Sequence, residues 1–250
     1  MVGAPPWQQL ASFAPLVVAS WLCLVRAGLL PGGWRLEGWL EPRERVEARE
    51  RALSASLRLA AIGERARLAP EGAILWLGHS TVERHEPAAH HPLHPQFNAG
   101  VASTRADDLV RVLERLVPAR RPGGVVVVSG TADRLALPGR PLEAAAAVER
   151  LVAAVEVRLP GVPLLVVGPL PQVDGAGEAD VRALQAALSA MAASRGHAFV
   201  DPAREPLVDE RFRLRPRFAV DEVHLSAMGY THYAALLRGA QGPVAEALRR

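Results

Sequence analysis

At 250 residues, of which 50% are hydrophobic and 22% charged, the chain has room for one substantial folded domain, and its composition excludes an intrinsically disordered protein. All basic side chains are arginine and nearly balance the acidic ones at a net charge of +3, so the sequence offers no basic face of the kind that binds nucleic acid. A single cysteine, Cys23, excludes an internal disulfide and a cysteine-rich metal site.

The N-terminal segment is strongly apolar. Residues 1–25 carry no charge, and the run from Leu10 to Val25 would span about 24 Å as a helix, slightly less than a bilayer core of ~30 Å. We therefore expect residues 1–30 to form a single-pass membrane anchor, with a signal peptide and a soluble packing helix as alternatives. The arginines that follow, from Arg26 onward, favour a cytoplasmic main domain, although many anchored enzymes face outward, so the side of the membrane stays open.

Residues 31–72 are interpreted as a helical linker. The sequence Pro31-Gly32-Gly33 interrupts the apolar segment, and the stretch from Glu41 to Arg67 is rich in Ala, Leu, Arg and Glu. Opposite charges four residues apart, as at Glu47 and Arg51, are typical of a solvated helix. A surface helix is therefore expected here, with a partner-binding helix as the minor alternative.

From Ala73 to the end of the chain, short β-rich runs alternate with helical patterns, which predicts a parallel sheet covered by helices on both faces. The expected strands are Ile74–Leu77, a short one ending near Phe97, Val125–Val128, Leu164–Val167 and Ala198–Val200. The expected helices are Ala106–Val117, Leu142–Arg158, Glu178–Ser194 and Ser226–Leu237. In such a sheet, ligands bind at the carboxyl ends of the strands, beside the topological switch point.

The residues with chemical potential lie at these strand ends. Ser80 follows the first strand after Gly78, and a sharp turn there would present its hydroxyl to a cleft. A serine needs a base and a group that orients the base, and the pair Asp221 and His224 before the final helix can supply both. Read singly, the pair Asp221 and His224 is typical of a surface turn, and Ser80 or Asp221 alone could be a helix N-cap.

Four blocks of this sequence together resemble the SGNH hydrolases, the GDSL-type esterase and lipase superfamily, over about Ala73 to Leu237. They are Leu77-Gly78-His79-Ser80, Asn98-Ala99-Gly100, Gly130-Thr131-Ala132-Asp133 and the segment from Asp221 to Tyr230. The resemblance implies a flavodoxin-like three-layer α/β/α sandwich with a five-stranded parallel sheet, preceded here by an N-terminal helical extension. It also implies that Ser80 is the nucleophile, His224 the general base and Asp221 its partner, with the amides of Ser80 and Gly100 as oxyanion donors.

Two positions depart from the pattern of that superfamily. His79 replaces the usual aspartate before the serine, and Ala132 replaces the usual asparagine of the third block. Losing one oxyanion donor typically costs about 10²–10³ in turnover. Thr131, Asn98 and His79 are the candidate substitute donors.

A cluster of histidines, His85, His90, His91 and His94, follows the nucleophile. Its prolines and the lack of a completing ligand set argue against a metal site, so we expect no metal and no cofactor, and we expect this segment to border the substrate cleft.

The leading hypothesis is a serine hydrolase that cleaves an acyl or acetyl ester of a small molecule or glycan through an acyl-enzyme on Ser80. The alternatives are an acyltransferase acting on cell-envelope glycans and an SGNH-like binding domain with little turnover. The sequence leaves the acyl group, the alcohol and the oligomeric state open.

Overall fold

The computed structural model describes residues 43–116 and 120–250. The chain divides into two compact units, Met1–Ser54 and Ala55–Arg250. Of the first unit, only residues 43–54 are described, and they are helical. The second unit contains the sheet and every site residue considered below.

Five parallel strands form one sheet in the order β2-β1-β3-β4-β5. They are β1 (Ile74–Gly78), β2 (Gln96–Asn98), β3 (Gly124–Val128), β4 (Leu164–Val167) and β5 (Ala198–Val200). Strand β1 lies between β2 and β3, and its residues pair in register from Ile74 with Gly124 to Gly78 with Val128. Because the strand order reverses beside β1, its carboxyl end lies at the topological switch point.

Helices surround the sheet. They are α1 (Arg43–Ala66), α2 (Ser80–Glu83), α3 (Pro87–His90), α4 (Ala106–Arg115), α5 (Thr131–Ala136), α6 (Pro141–Arg158), α7 (Glu178–Ser194), α8 (Ala227–Arg238) and α9 (Pro243–Arg249), with a 3₁₀ turn at Pro216–Phe218. Helices α4, α6 and α7 contribute to the core on one face of the sheet, together with Ile62 and Ala66 of α1. Helices α8 and α9 contribute to the core on the other face.

Alternation along each strand explains these two cores. In β1, Leu75 and Leu77 face the first core, whereas Ile74 and Trp76 face the second. Each strand of a sheet covered on both sides therefore reads as a continuous apolar run. The predicted three-layer α/β/α sandwich with five parallel strands is confirmed, and α1 is the N-terminal helical extension. The short helices α2, α3 and α5, and helix α9, were not predicted.

The predicted single-pass membrane anchor is corrected. Within the described ranges, no helix has both the length and the apolar character needed to cross a bilayer. The apolar run over residues 1–30, on which that prediction rested, lies outside the described residues.

Candidate active site

The turn after β1 presents Ser80 at the start of α2. A β-carbon on Gly78 would lie 2.3 Å from the carbonyl oxygen of Val128, so only glycine lets the end of β1 approach β3 this closely. His79 caps α2, because its Nδ1 accepts a hydrogen bond from the amide of Thr81 at 3.4 Å. Ser80 is half-buried as the first residue of the helix, where backbone amides have no partner within the helix.

Three predicted side chains meet at this turn. The Nε2 atom of His224 lies 2.9 Å from the hydroxyl oxygen of Ser80, although 144 positions separate them in sequence. On the other side of the ring, Nδ1 lies 2.7 Å from Oδ2 and 2.9 Å from Oδ1 of Asp221. The arrangement is that of a nucleophile, a base and an orienting carboxylate in line.

The surroundings of Asp221 stabilise its ionised form. Burial opposes ionisation, but hydrogen bonds from the amide of Val223, from the His224 ring and from the His224 amide outweigh it and lower the pKa of Asp221 to about 2. Arg84 adds an exposed ion pair at 3.6 Å. Asp221 is therefore a carboxylate at neutral pH, and it favours the tautomer of His224 that carries its proton on Nδ1.

The side chain of Asn98 fixes the loop after β2. Its amide nitrogen donates to the carbonyl oxygens of Val82 at 2.6 Å and His85 at 2.8 Å. Its Oδ1 accepts from the amide of Gly100 at 2.9 Å and from Arg58 at 3.2 Å. The structure therefore does not support Gly100 as an oxyanion donor, because its amide is already engaged. Asn98 is not a free substitute donor either, because both of its amide hydrogens are engaged.

Other contacts also hold this loop. The amide of Ala102 donates to the carboxylate of Glu83. The next residue, Ser103, has a φ of 60°, in the left-handed region that non-glycine residues seldom adopt. Strained backbone of this kind often lies at functional sites. Nothing in the sequence indicated it.

Replacing Gly100 by alanine should destabilise the protein. The new β-carbon would lie 2.2 Å from the amide nitrogen of Glu83 and 2.6 Å from the carbonyl carbon of Val82, so the helix that carries Ser80 would have to move. We expect the free energy of unfolding to fall by about 1–3 kcal/mol in urea denaturation. The control is Gly63→Ala in α1, where the new β-carbon meets nothing within 4 Å and the protein should be no less stable. Equal effects of the two variants would contradict the close contact.

The third block begins α5. Thr131 and Ala132 are half-buried, and among the described residues the Thr131 hydroxyl has no hydrogen-bond partner. Asp133 is buried and accepts the amide of Ala106 at 3.0 Å, which ties α5 to the start of α4. Burial raises the pKa of Asp133, and the hydrogen bond from Ala106 opposes that rise. The role of Asp133 in the fold is therefore a structural one.

His79 lies too deep to serve readily as a donor in an open cleft. Its side chain is 3% exposed, and Nε2 has no hydrogen-bond partner in the described part of the chain. Burial, reinforced by the neighbouring His224, lowers the pKa of His79 to about 4. A neutral imidazole therefore stands where the superfamily usually has a carboxylate, and Thr131 is the one predicted substitute donor whose side chain has no other partner among the described residues.

Two of the four clustered histidines, His85 and His91, are buried in the core. The ring of His85 stacks on Tyr230 at 5.3 Å between centroids and meets Trp76 edge-on at 4.8 Å. His91 is 2% exposed, and its Nδ1 lies 3.0 Å from the carbonyl oxygen of Leu248. Within residues 43–116 and 120–250, no group of three His, Cys, Asp or Glu side chains is arranged to hold a metal ion.

A buried arginine joins α5 to the loop after β4, and the sequence did not single it out. Arg134 is 4% exposed and donates to the side chain of Gln172 at 2.8 Å. The next residue, Val173, donates its amide to the carbonyl oxygen of Glu222 at 3.1 Å. The segment carrying Asp221 is thereby linked to the loop after β4.

The chain matches one family of known proteins in sequence. Residues 76–232 match the family profile of the GDSL-like lipase/acylhydrolases. No curated protein matches the chain in a sequence search.

Several solved structures share the fold. A Streptococcus pneumonia protein, assigned provisionally as a platelet activating factor, matches with a TM-score of 0.70 and 18% identity over 80% of this chain and 99% of its own. A mutant acetyl-xylooligosaccharide esterase from Geobacillus stearmophilus matches with a TM-score of 0.54 and 17% identity, over 69% of this chain and 95% of its own. A carbohydrate acetylesterase from Sinorhizobium meliloti matches with a TM-score of 0.51 and 18% identity, over 65% and 94%. At these identities the likeness establishes the fold alone.

Proposed function

Because this chain belongs to the GDSL-like lipase/acylhydrolase family, we propose that it is a serine esterase that cleaves acyl or acetyl esters through an acyl-enzyme on Ser80. The observation that carries the proposal is the contact of 2.9 Å between Ser80 Oγ and His224 Nε2, with Asp221 on the opposite ring nitrogen. A base within this distance can take the serine proton as the hydroxyl attacks.

The reaction proceeds in two steps. The Ser80 oxygen forms a bond to the ester carbonyl carbon while its proton passes to His224 Nε2, and that proton then goes to the departing alcohol as the ester bond breaks. Next, His224 takes a proton from water, the resulting hydroxide attacks the acyl-enzyme, and Ser80 recovers its proton as the acid leaves. Asp221 stays ionised and stabilises the imidazolium in both steps.

The oxyanion site has a less complete set of groups than the arrangement of Ser80, His224 and Asp221. The Ser80 amide, at the start of α2, is one proposed donor. Thr131 is the proposed second donor, because its hydroxyl has no other described partner. The Gly100 amide donates to Asn98, and the side-chain amide of Asn98 donates to Val82 and His85. With Ala132 in the third block, we expect slower turnover than in an esterase with a complete set of donors.

Short acetyl esters are the first substrates to try. Two structural neighbours are named as carbohydrate acetyl esterases, and this supports an acetyl group on a saccharide as a substrate class for this chain as well. The decisive experiment exposes the full-length protein to a fluorophosphonate probe and then measures activity on p-nitrophenyl esters of increasing chain length and on acetylated sugars. Labelling at Ser80 and cleavage of a short ester are expected. An unlabelled Ser80 with no turnover would overturn the proposal.

Ala132→Asn should raise turnover. An asparagine at this position would add a hydrogen-bond donor used mainly in the transition state, so kcat should increase by up to about 10²-fold with little change in KM. If Thr131 already supplies the donor, Ala132→Asn should be neutral or harmful, and Thr131→Val should lower kcat by about 10²–10³. Steady-state kinetics of both variants on p-nitrophenyl acetate decide between the two arrangements.

A binding domain with little turnover is the second candidate, and the alanine at position 132 favours it. A protein of this kind would keep the geometry of Ser80 and His224 yet lack effective oxyanion stabilisation. This candidate predicts negligible turnover in wild type, in Ala132→Asn and in Thr131→Val, and no labelling of Ser80 by fluorophosphonate. That result would contradict the esterase proposal and support a binding domain.

A further inference from the structure

A polar cavity lies beside the turn that carries Ser80. Its volume is about 490 Å³, within the range of about 300–1,000 Å³ typical of small-molecule sites. Side chains of α1 and of residues 83–98 line it, and neither Ser80 nor His224 is among them. Its charged and polar lining residues are Arg58, Arg65, Glu83, His85, Glu86, Gln96 and Asn98.

Two arginines reach this cavity from α1. Arg58 and Arg65 are seven residues apart, which is about two helical turns, so they lie on the same face of the helix. Arg58 is held in place, because its Nε donates to the Gly100 carbonyl oxygen at 3.0 Å and its Nη2 donates to Asn98 Oδ1 at 3.2 Å. In the described part of the chain, Arg65 has no ion-pair partner, so its guanidinium is available to a ligand.

Two carboxylates line the same cavity. Glu83 is half-buried and oriented by the amide of Ala102. Glu86 is exposed and, among the described residues, forms no ion pair. The four charged groups sum to zero. The amide side chains of Gln96 and Asn98 also line the cavity, but their oxygen and nitrogen atoms are engaged in hydrogen bonds within the protein. The cavity therefore combines cationic hydrogen-bond donors with anionic acceptors, and these charges cancel.

This chemistry selects among ligand classes. The carboxylates of Glu83 and Glu86 would repel a polyanion, and the guanidinium groups of Arg58 and Arg65 would repel a polycation. An acyl chain would have to pack against charged and polar side chains, because Pro87, Ala88 and Ala89 are the three apolar residues among the ten that line the cavity. A neutral ligand rich in hydroxyl groups can donate to the carboxylates and accept from the guanidinium groups at the same time.

We propose that this cavity is a subsite for a saccharide unit of an acylated oligosaccharide whose ester bond is cleaved at Ser80. The inference rests on the proposed esterase function for the cleavage step, but saccharide binding can be tested without it. Because Ser80 does not line the cavity, a ligand that occupies the cavity and reaches the nucleophile must contain more than one sugar unit. The cavity lies close to the nucleophile, since Glu83, which lines it, ends the four-residue helix that begins with Ser80. Asn98, which also lines it, donates to the carbonyl oxygen of Val82 in that helix.

The test removes the two exposed charged groups of the cavity together. Arg65→Ala with Glu86→Ala should lower kcat/KM on acetylated xylotetraose by about tenfold or more, mainly through KM, because two charged hydrogen-bonding groups are lost. Activity on p-nitrophenyl acetate, which is too small to fill the cavity, should stay within about twofold of wild type. The matched control is Arg67→Ala with Glu64→Ala, which removes one exposed arginine and one exposed glutamate near the end of α1 but outside the cavity. Its activity on both substrates should equal that of wild type.

The outcomes separate this inference from the esterase proposal. If wild type cleaves p-nitrophenyl acetate and the cavity variant cleaves acetylated xylotetraose as well as wild type does, the subsite is wrong and the esterase stands. If no ester is cleaved, calorimetry with Ser80→Ala protein and underivatised xylo-, manno- and chitotetraose tests the cavity directly. Binding of one of these that is lost with Arg65→Ala and Glu86→Ala supports the subsite, and failure to bind any of them overturns it.

Discussion

Replacing Ser80 by alanine should lower kcat on p-nitrophenyl acetate by at least about 10⁴-fold, and His224→Ala should do the same. Without the Ser80 hydroxyl no acyl-enzyme forms, and without the imidazole 2.9 Å away the hydroxyl keeps its proton. Because Ser80 is half-buried and His224 lies near the surface, neither substitution empties a core position, so both variants should fold. Circular dichroism spectra that match wild type provide the check.

The double variant is the sharper measurement. Residues that act as one unit are strongly non-additive, so Ser80→Ala with His224→Ala should be scarcely slower than either single variant. Losses that multiply would show that the two side chains act independently and would contradict a shared proton transfer. Asp221→Asn should cost less than either, because Asp221 orients the ring and stabilises the imidazolium without forming a bond to substrate.

The sheet could be predicted from the sequence because its pattern is local. Strands buried on both faces are continuous apolar runs, as at Val125–Val128 and Leu164–Val167, and the structure has both within one residue of the prediction. The helices α2, α3 and α5 were missed because four to six residues carry no periodicity. Helix α9 is also short and lies beyond the last recognised block.

The site could be predicted only in part, because its members come from distant positions. Position after the first strand singled out Ser80, position before the final helix singled out His224, and the structure brings them together. The resemblance of the blocks added their expected roles. It could not show that Asn98 donates its amide hydrogens to Val82 and His85 or that Gly100 is engaged, since those bonds depend on how the loop after β2 packs on α2. It also could not show that histidines in a proline-rich stretch would be buried, because each ring finds its partners on other strands and helices.

The burial of those histidines leads to the second prediction, which concerns stability at acid pH. His79, His85 and His91 are each at most 3% exposed. Burial lowers the pKa of His85 to about 3, with the neighbouring His90 and His91 adding to the effect. Burial likewise lowers the pKa of His91 to about 4, although a hydrogen bond to Leu248 acts to raise it. Burial also lowers the pKa of His79 to about 4. Arg238 adds positive charge beside His91, and no described carboxylate compensates there.

The direction in which stability changes with pH follows from proton uptake by these histidines. In the unfolded chain these histidines bind protons near the ordinary histidine pKa of 6.5, whereas in the folded protein they stay neutral until about pH 4 or below. The unfolded state therefore binds more protons between those values, and the free energy of unfolding falls as the pH drops through this window. At about pH 5 each histidine costs about 2 kcal/mol, so the three together approach the whole stability of a typical domain.

Urea denaturation from about pH 7.5 down to pH 5 should accordingly show a fall of several kcal/mol in the free energy of unfolding. His85→Phe keeps an aromatic ring against Tyr230 and Trp76 but cannot bind a proton, so its decline over the same range should be smaller by about 2 kcal/mol. Tyr230→Phe is the matched control, because it alters the same cluster by one hydroxyl and leaves every histidine in place, so its decline should equal that of wild type. Parallel declines in wild type and His85→Phe would mean that His85 takes up a proton as readily in the folded protein as in the unfolded chain, and the acid sensitivity would then have another origin.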